Sequence, residues 1–184
     1  IHSIKTLKFA QNIQREDIKS IFAELSNEQK IIVRLAAFLH DIGKGRAEDH
    51  HIVGEKLFKS MLKSFYFDDE IIKIGARLVR YHNMMSYMAT HEDIYSEKTI
   101  LNFTGLLKTK ETLKMLYVIT YCDISAVGEN IFNSSIASLL KQLYIQSLPA
   151  FENEDLLNES KRRIAKQNTI KNLERYKLLP SILK

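Results

Sequence analysis

The sequence predicts an all-α protein, a bundle of helices, on three observations. Apolar residues recur at three- and four-residue steps through one segment after another, the period of a helix with one buried face. Helix breakers are scarce, with 2 Pro and 6 Gly in 184 residues. Alternating β-branched runs of the kind that build half-buried strands are hard to find. A hydrophobic content of 45% and a charged content of 27% are ordinary for a globular chain. The length suffices for one domain with a sizeable core.

Taken in order, His2 to Phe9 reads as a helix with Ile4, Leu7 and Phe9 turned inwards. Glu16 to Leu25 and Gln29 to Ile42 follow as helices, the second carrying Ile32, Leu35, Ala36 and Leu39 towards His40. The glycines of Gly43-Lys44-Gly45-Arg46 break that helix. His50 to Phe65 is predicted helical, with Val53, Leu57, Met61 and Leu62 as its apolar stripe. Asp68 or Asp69 is suited to cap the next helix, which runs through Ile71, Ile72, Ile74, Leu78 and Val79 to His82. A loop is expected around Met88 to Asp93, then a helix from Ser96 to Leu107. Glu111 to Val127 is strongly apolar and is stopped by Gly128. Helices over Asn130 to Ser147 and Glu154 to Tyr176 complete the chain, with Pro149 to Asn153 as the nearest thing to a linker. The expected organisation is one domain over 1–148 and a helical extension over 149–184.

The charge balance of +5 permits attraction to phosphate-bearing or acidic partners. Much of the excess lies late, in Lys161, Arg162, Arg163, Lys166, Lys171, Arg175 and Lys177. No aromatic residues are interleaved there to stack bases, so a solvated helical face is preferred to a nucleic-acid groove. A single cysteine, Cys122, excludes an internal disulfide framework and fits a reducing cytoplasm. It is expected to pack as a small apolar group. No apolar run approaches a membrane span, so no membrane partner is expected. The chain has no initiator Met and opens inside a helical pattern, as expected of a piece of a longer protein.

The stretch from Leu35 to Lys44 carries the strongest chemical signal. An apolar helix there ends in an imidazole beside a carboxylate, His40-Asp41, with Lys44 one turn later. Adjacent helical residues point about 100° apart, so these two can share a metal only over the helix edge, with other segments completing the shell. His2 and Asp123 are the residues to bring to them. Asp123 ends the run from Leu116 to Cys122, whose apolar character implies burial, and a buried carboxylate is costly unless paired or metal-bound. Two imidazoles with two carboxylates suit a divalent ion such as Mn, Fe, Co, Ni, Zn or Mg. Such an ion can bring a water's pKa to about 7 and polarise a phosphoryl oxygen, enough for phosphoester hydrolysis without a protein nucleophile.

The order His2, His40-Asp41, Asp123 in a helical chain resembles the HD superfamily of metal-dependent phosphohydrolases. Within it, His40-Asp41-Ile42-Gly43-Lys44-Gly45-Arg46, Asp49-His50, Leu78 to Ser86 and the Asp123 segment look like the HD domains of bifunctional PII uridylyltransferase/uridylyl-removing enzymes. So do Asn133 and the run from Leu139 to Tyr144, and the likeness covers most of the chain. The resemblance implies removal of UMP from a tyrosine of a PII-type nitrogen-regulatory protein, by attack of an activated water on the phosphodiester. It implies His2, His40, Asp41 and Asp123 as metal ligands. Lys44 would neutralise a phosphate oxygen as charge develops. His50 and His82 would either bind a second ion, with Asp41 bridging the pair, or contact the nucleotide phosphate and act as acid. Tyr81 stands where the resembling enzymes lead one to expect the first of two adjacent histidines, which counts against the second ion.

Bland readings stand beside these. His91 is expected in a loop and His51 on the solvent side of its helix. Asp49 is suited to a helix N-cap, although it could orient a water or a histidine. Met84, Met85 and Met88 fit core or lid packing. The paired aspartates and Gly-Ser loop of a nucleotidyltransferase are not found in these 184 residues, nor is a Walker loop, a Rossmann glycine pattern or a Ser-His-Asp arrangement. The hydrolytic half-reaction is therefore the most this stretch is expected to perform. Two rivals remain: a phosphohydrolase of small nucleotides, and a catalytically silent regulatory module that keeps a metal site.

Overall fold

The computed structural model describes residues 1–128 and 130–152, together with Asn158, Arg162, Ala165, Lys166, Gln167, Thr169 and Ile170. Among the described residues every regular element is a helix: α1 (His2–Gln11), α2 (Glu16–Glu24), α3 (Asn27–Leu39), α4 (His50–Ser64), α5 (Asp69–Tyr81), α6 (Met84–His91), α7 (Glu97–Leu107), α8 (Lys110–Val127), α9 (Ser134–Ser147) and α10 (Pro149–Glu152). None is long and apolar enough to cross a membrane.

Helix starts follow capping chemistry. Ser26 and Gln29 form a reciprocal capping box, so α3 begins two residues before Gln29. Asp68 caps α5, Thr109 caps α8, and Asn133 caps α9 in place of the earlier start expected at Asn130.

Helix α8 is the central element. Leu113, Met115, Leu116, Val118, Ile119 and Cys122 are fully buried, and α1, α2, α3, α5, α6, α7 and α9 all pack against it. Helix α1 lies over α3 and α8, while α4 and α5 form a tightly packed hairpin whose second arm rests on α3. Helices α6, α7 and α10 pack on α9. The apolar core runs continuously through these layers.

Four expectations are corrected. Ile4 is exposed, and the inner face of α1 is Thr6 and Ala10, both buried. These lie four and eight residues after His2, so His2 belongs to the stripe that meets α3 and α8. On α4, Phe58 is fully buried and takes the inner place expected of Leu57 and Met61, which are half-buried. Met88 to His91 is the last turn of α6, because Met85, Met88 and Ala89 provide a buried face. Pro149 to Glu152 is a short helix rather than a linker, with proline at its first position, where its missing N–H costs no bond. Most of the helix expected over Glu154 to Tyr176, and most of the late basic residues, lie outside the described residues.

Candidate metal centre

Five helices bring their ends together at one side of the bundle. His2 opens α1, His40 and Asp41 follow α3, His50 and His51 open α4, His82 closes α5, and Asp123 lies near the end of α8. The connection between α3 and α4 approaches α4 so closely that a Cβ on Gly43 would overlap the carbonyl oxygen of His50 and crowd the amide of Gly54. Only glycine fits there, and that fit sets the His40-Asp41 edge against the start of α4.

His40 is fully buried, with 1% of its side chain exposed. Its Nδ1–H donates to the carbonyl of Ala37 at 2.9 Å, which turns Nε2 towards the carboxylates. That Nε2 lies 3.3 Å from Asp41 Oδ2 and 3.2 Å from Asp123 Oδ1. His2 Nε2 meets the same Asp123 oxygen at 2.7 Å. His82 repeats the arrangement of His40: Nδ1–H donates to the Val79 carbonyl at 2.8 Å, and Nε2 faces Asp41 Oδ1 at 3.6 Å. Lys44 holds the other oxygen of Asp41 at 2.6 Å from an otherwise exposed position.

Two groups of donors result, with Asp41 between them. His2, His40 and Asp123 offer three atoms within 4.8 Å of one another, and so do His40, Asp41 and His82. His50, His51 and His82 form a further group at the start of α4. Among the described residues, His40 Nε2, Asp41 Oδ1 and His50 Nε2 are buried without a hydrogen-bond partner. Buried atoms of this kind, within groups of imidazole and carboxylate, fit a divalent cation.

His51 was expected to face solvent, but its side chain is only 27% exposed. Its ring centroid lies 3.8 Å from that of His50 and 5.1 Å from that of His82. Asp49 performs both of its candidate roles at once: Oδ1 accepts the backbone N–H of His51 at 2.8 Å as a cap and its Nδ1–H at 3.1 Å as an orienter. The missed signal was the spacing Asp49-x-His51, which lets one carboxylate oxygen do both. A third imidazole thus reaches this group from α4, although Tyr81 stands where one was expected on α5.

The electrostatics are uneven. Burial works to lower the pKa of His40, but the carboxylates of Asp123 and Asp41 outweigh it and lift it to about 9. Burial works to raise both carboxylates, yet His40, with Lys44 for Asp41 and His2 for Asp123, holds each below the usual range. His82 is lowered to about 4, chiefly by burial and against its bond to Val79, with the charge on His40 adding to the effect. His50 is lowered by burial and by His51 and Lys44. Without an ion, His40 carries the charge that holds the two carboxylates.

Beside His51 opens a cleft of about 500 Å³, lined among others by Arg80, Tyr81, Asn83, Met84 and Tyr87. Asn83 donates to His51 Nε2 at 3.3 Å. His91 belongs to none of the three groups and is stacked on Tyr87 at 4.8 Å. Cys122 is buried in the core, where desolvation pushes its thiol pKa well up.

The family model of the HD domain matches residues 1–124, the span that contains His2, His40, Asp41, His50, His82 and Asp123. Similar curated proteins carry the name bifunctional uridylyltransferase/uridylyl-removing enzyme. That of Bradyrhizobium diazoefficiens is 32% identical over 154 residues, covering 80% of this chain and 17% of the relative. That of Cereibacter sphaeroides is 32% identical over 178 residues, covering 89% of this chain and 19% of the relative. That of Zymomonas mobilis is 34% identical over 148 residues, covering 78% and 16%. The chain therefore spans less than a fifth of the length of these relatives.

Proposed function

The chain belongs to the HD domain family, and from that premise we propose that it is a metal-dependent phosphohydrolase that removes UMP from a uridylylated tyrosine. The observation that carries the reading is that His40, Asp41 and Asp123, largely buried, face one another with His2 on Asp123 and His82 on Asp41, while His40 Nε2 and Asp41 Oδ1 have no hydrogen-bond partner among the described residues. The substrate class rests on the relatives named for uridylyl removal. A PII-type regulatory protein as partner, and with it a place in cytoplasmic nitrogen regulation, rests on the family resemblance alone.

His2, His40, Asp41 and Asp123 would hold the ion, and His50, His51 and His82 would serve a second. A bound divalent ion would supply a water of lowered pKa and withdraw charge from the phosphoryl oxygens. The chain's own residues do the rest. The backbone carbonyls of Ala37 and Val79 fix the tautomers of His40 and His82, so that each presents Nε2. Lys44 keeps Asp41 ionised and brings an ammonium to the rim of the site. His50 and His82 are neutral at pH 7 because burial lowers both, so each can ligate or accept a proton at Nε2. In the hydrolysis, the water oxygen bonds to phosphorus, the bond from phosphorus to the tyrosine oxygen breaks, and the phenolate takes up a proton. The cleft lined by Tyr81, Asn83 and Tyr87 would take the uridine of the UMP that is released.

The test is elemental analysis of the purified chain beside Asp41→Ala and His40→Ala, followed by assays on uridylylated PII-type protein and on free nucleotides. Metal at one or two equivalents, lost in both variants, with release of UMP from the protein substrate, is expected. Turnover of free nucleotides alone would assign the site to small-molecule substrates. Bound metal with no turnover at all would leave a silent regulatory module.

A further inference from the structure

We propose that the depression between α4, α5 and the end of α7 binds a small ligand carrying a di- or triphosphate group. It has a volume of about 310 Å³, and Lys59, Lys73, Arg77, Arg80 and Lys108 line it with Glu55 as the only acid. Glu55 is already engaged by Lys59 and, at 3.4 Å, by Arg80. Lys73 has only a loose partner, Glu70 at 3.8 Å. The side chains of Arg77 and Lys108 have no ion pair or hydrogen bond among the described residues. Five cations around one carboxylate repel one another unless an anion joins them. The lining is more polar than apolar. Phosphate groups therefore suit the depression better than an apolar side chain does.

The backbone of Lys108 gives a second, independent indication. It closes α7 with φ 72°, the left-handed region that glycine occupies without steric cost at this position in helices. A lysine there gives up backbone comfort and leaves its ammonium at the wall of the depression. Strain of this kind concentrates where a side chain serves a ligand. Arg80 and Tyr81 also line the cleft beside His51, so they form the partition between the two cavities. The proposed site is separate from the metal centre and does not depend on the phosphohydrolase reading.

The experiment is calorimetric titration of the metal-free 184-residue chain with inorganic tripolyphosphate at low and moderate salt. Asp41→Ala, Arg77→Ala and Lys108→Gly are titrated beside it, and octaglutamate serves as a second probe. One equivalent should bind, more weakly as salt rises, and equally well to Asp41→Ala. Arg77→Ala and Lys108→Gly should each weaken binding about tenfold, the loss of one charge-assisted contact. Lys108→Gly should at the same time raise the thermal midpoint, which separates lost binding from lost folding. Absence of binding, loss of binding in Asp41→Ala, or parental affinity in either Arg77→Ala or Lys108→Gly would overturn the proposal. Binding of octaglutamate but not tripolyphosphate would also overturn it, in favour of docking by an acidic protein segment.

Discussion

His40 and His82 close their helices in the same way and carry opposite charge states. Each is the residue after its helix, with φ/ψ of −54°/−35° and −55°/−35°. Each donates Nδ1–H to the carbonyl three residues earlier, and their rings meet edge to face with centroids 5.0 Å apart. The backbone thus fixes both rings with Nε2 turned into the site. What differs is the far side of the ring. His40 Nε2 has carboxylate oxygens at 3.2 and 3.3 Å, and His82 has its nearest at 3.6 Å with charged His40 beside it. Burial is equal, so the count and distance of carboxylates decide.

The first prediction is the pH dependence of the metal-free protein. His40, raised from 6.5 to about 9, contributes stability that is full below pH 6.5 and is lost as pH rises through 9. His82, lowered to about 4, acts in the other direction: its neutral burial is stabilising at pH 7, and the benefit disappears as pH falls from 6.5 towards 4. Thermal unfolding in EDTA should therefore show a maximum near pH 6.5 with a decline on both sides. Metal binding must displace the proton of His40, so apparent metal affinity should rise about tenfold per pH unit between 6.5 and 9. A flat profile over that range would show that His40 is neutral without metal.

The two histidines should also separate by mutation. His40→Ala removes a ligand and leaves Asp41 and Asp123 near each other without the intervening cation. Metal content should fall to background, and the metal-free chain should lose about 3 kcal/mol or more, as when a buried pair is broken. His82→Ala removes no charge at neutral pH and leaves His2, His40 and Asp123 intact. It should cost at most one ion, and elemental analysis of the two variants distinguishes a mononuclear from a dinuclear centre.

Much of this was legible in the sequence, and the misses share a cause. Period and capping gave most helices and their order, because α3, α5 and α8 each bury a regular apolar face and end at polar or glycine residues. His40, Asp41 and Asp123 stood out as candidate ligands because each is a polar residue attached to an apolar helix, whereas His2 rested on the family resemblance. His51 was not legible, because Asp49 holds its ring towards the site, and Phe58 was not, because its ring packs directly over Gly75 of α5. Ile4 was misjudged in the same way: the buried positions of α1 are the small Thr6 and Ala10, which let the helix approach α3 and α8. Small residues at close contacts carry no hydropathy signal.

Lys44 offers a test of function apart from stability. Its side chain is 59% exposed, whereas that of Asp41 is 12% exposed, and the pair lies in the turn after α3. His40 still balances Asp41 when the exposed ammonium is removed, so Lys44→Met should change stability by about 1 kcal/mol or less. If the ammonium neutralises charge developing on the phosphoryl group, kcat should fall about 100-fold with metal content near parental. Equal loss of metal and activity would mean instead that Lys44 serves only to hold Asp41.

Gly43→Ala tests whether the approach between the α3–α4 connection and α4 holds the centre together. The added methyl would overlap the carbonyl oxygen of His50 and press on the amide of Gly54, and neither backbone atom can rotate away. Overpacking of this kind costs about 1–3 kcal/mol. The displacement would fall on the start of α4, which carries His50 and His51, while His2, His40 and Asp123 hang on α1, α3 and α8. The variant should therefore fold with a lowered thermal midpoint and keep the ion held by those three, but lose hydrolysis and any second equivalent of metal. Parental activity would show that the His50 side of the site is dispensable for the chemistry.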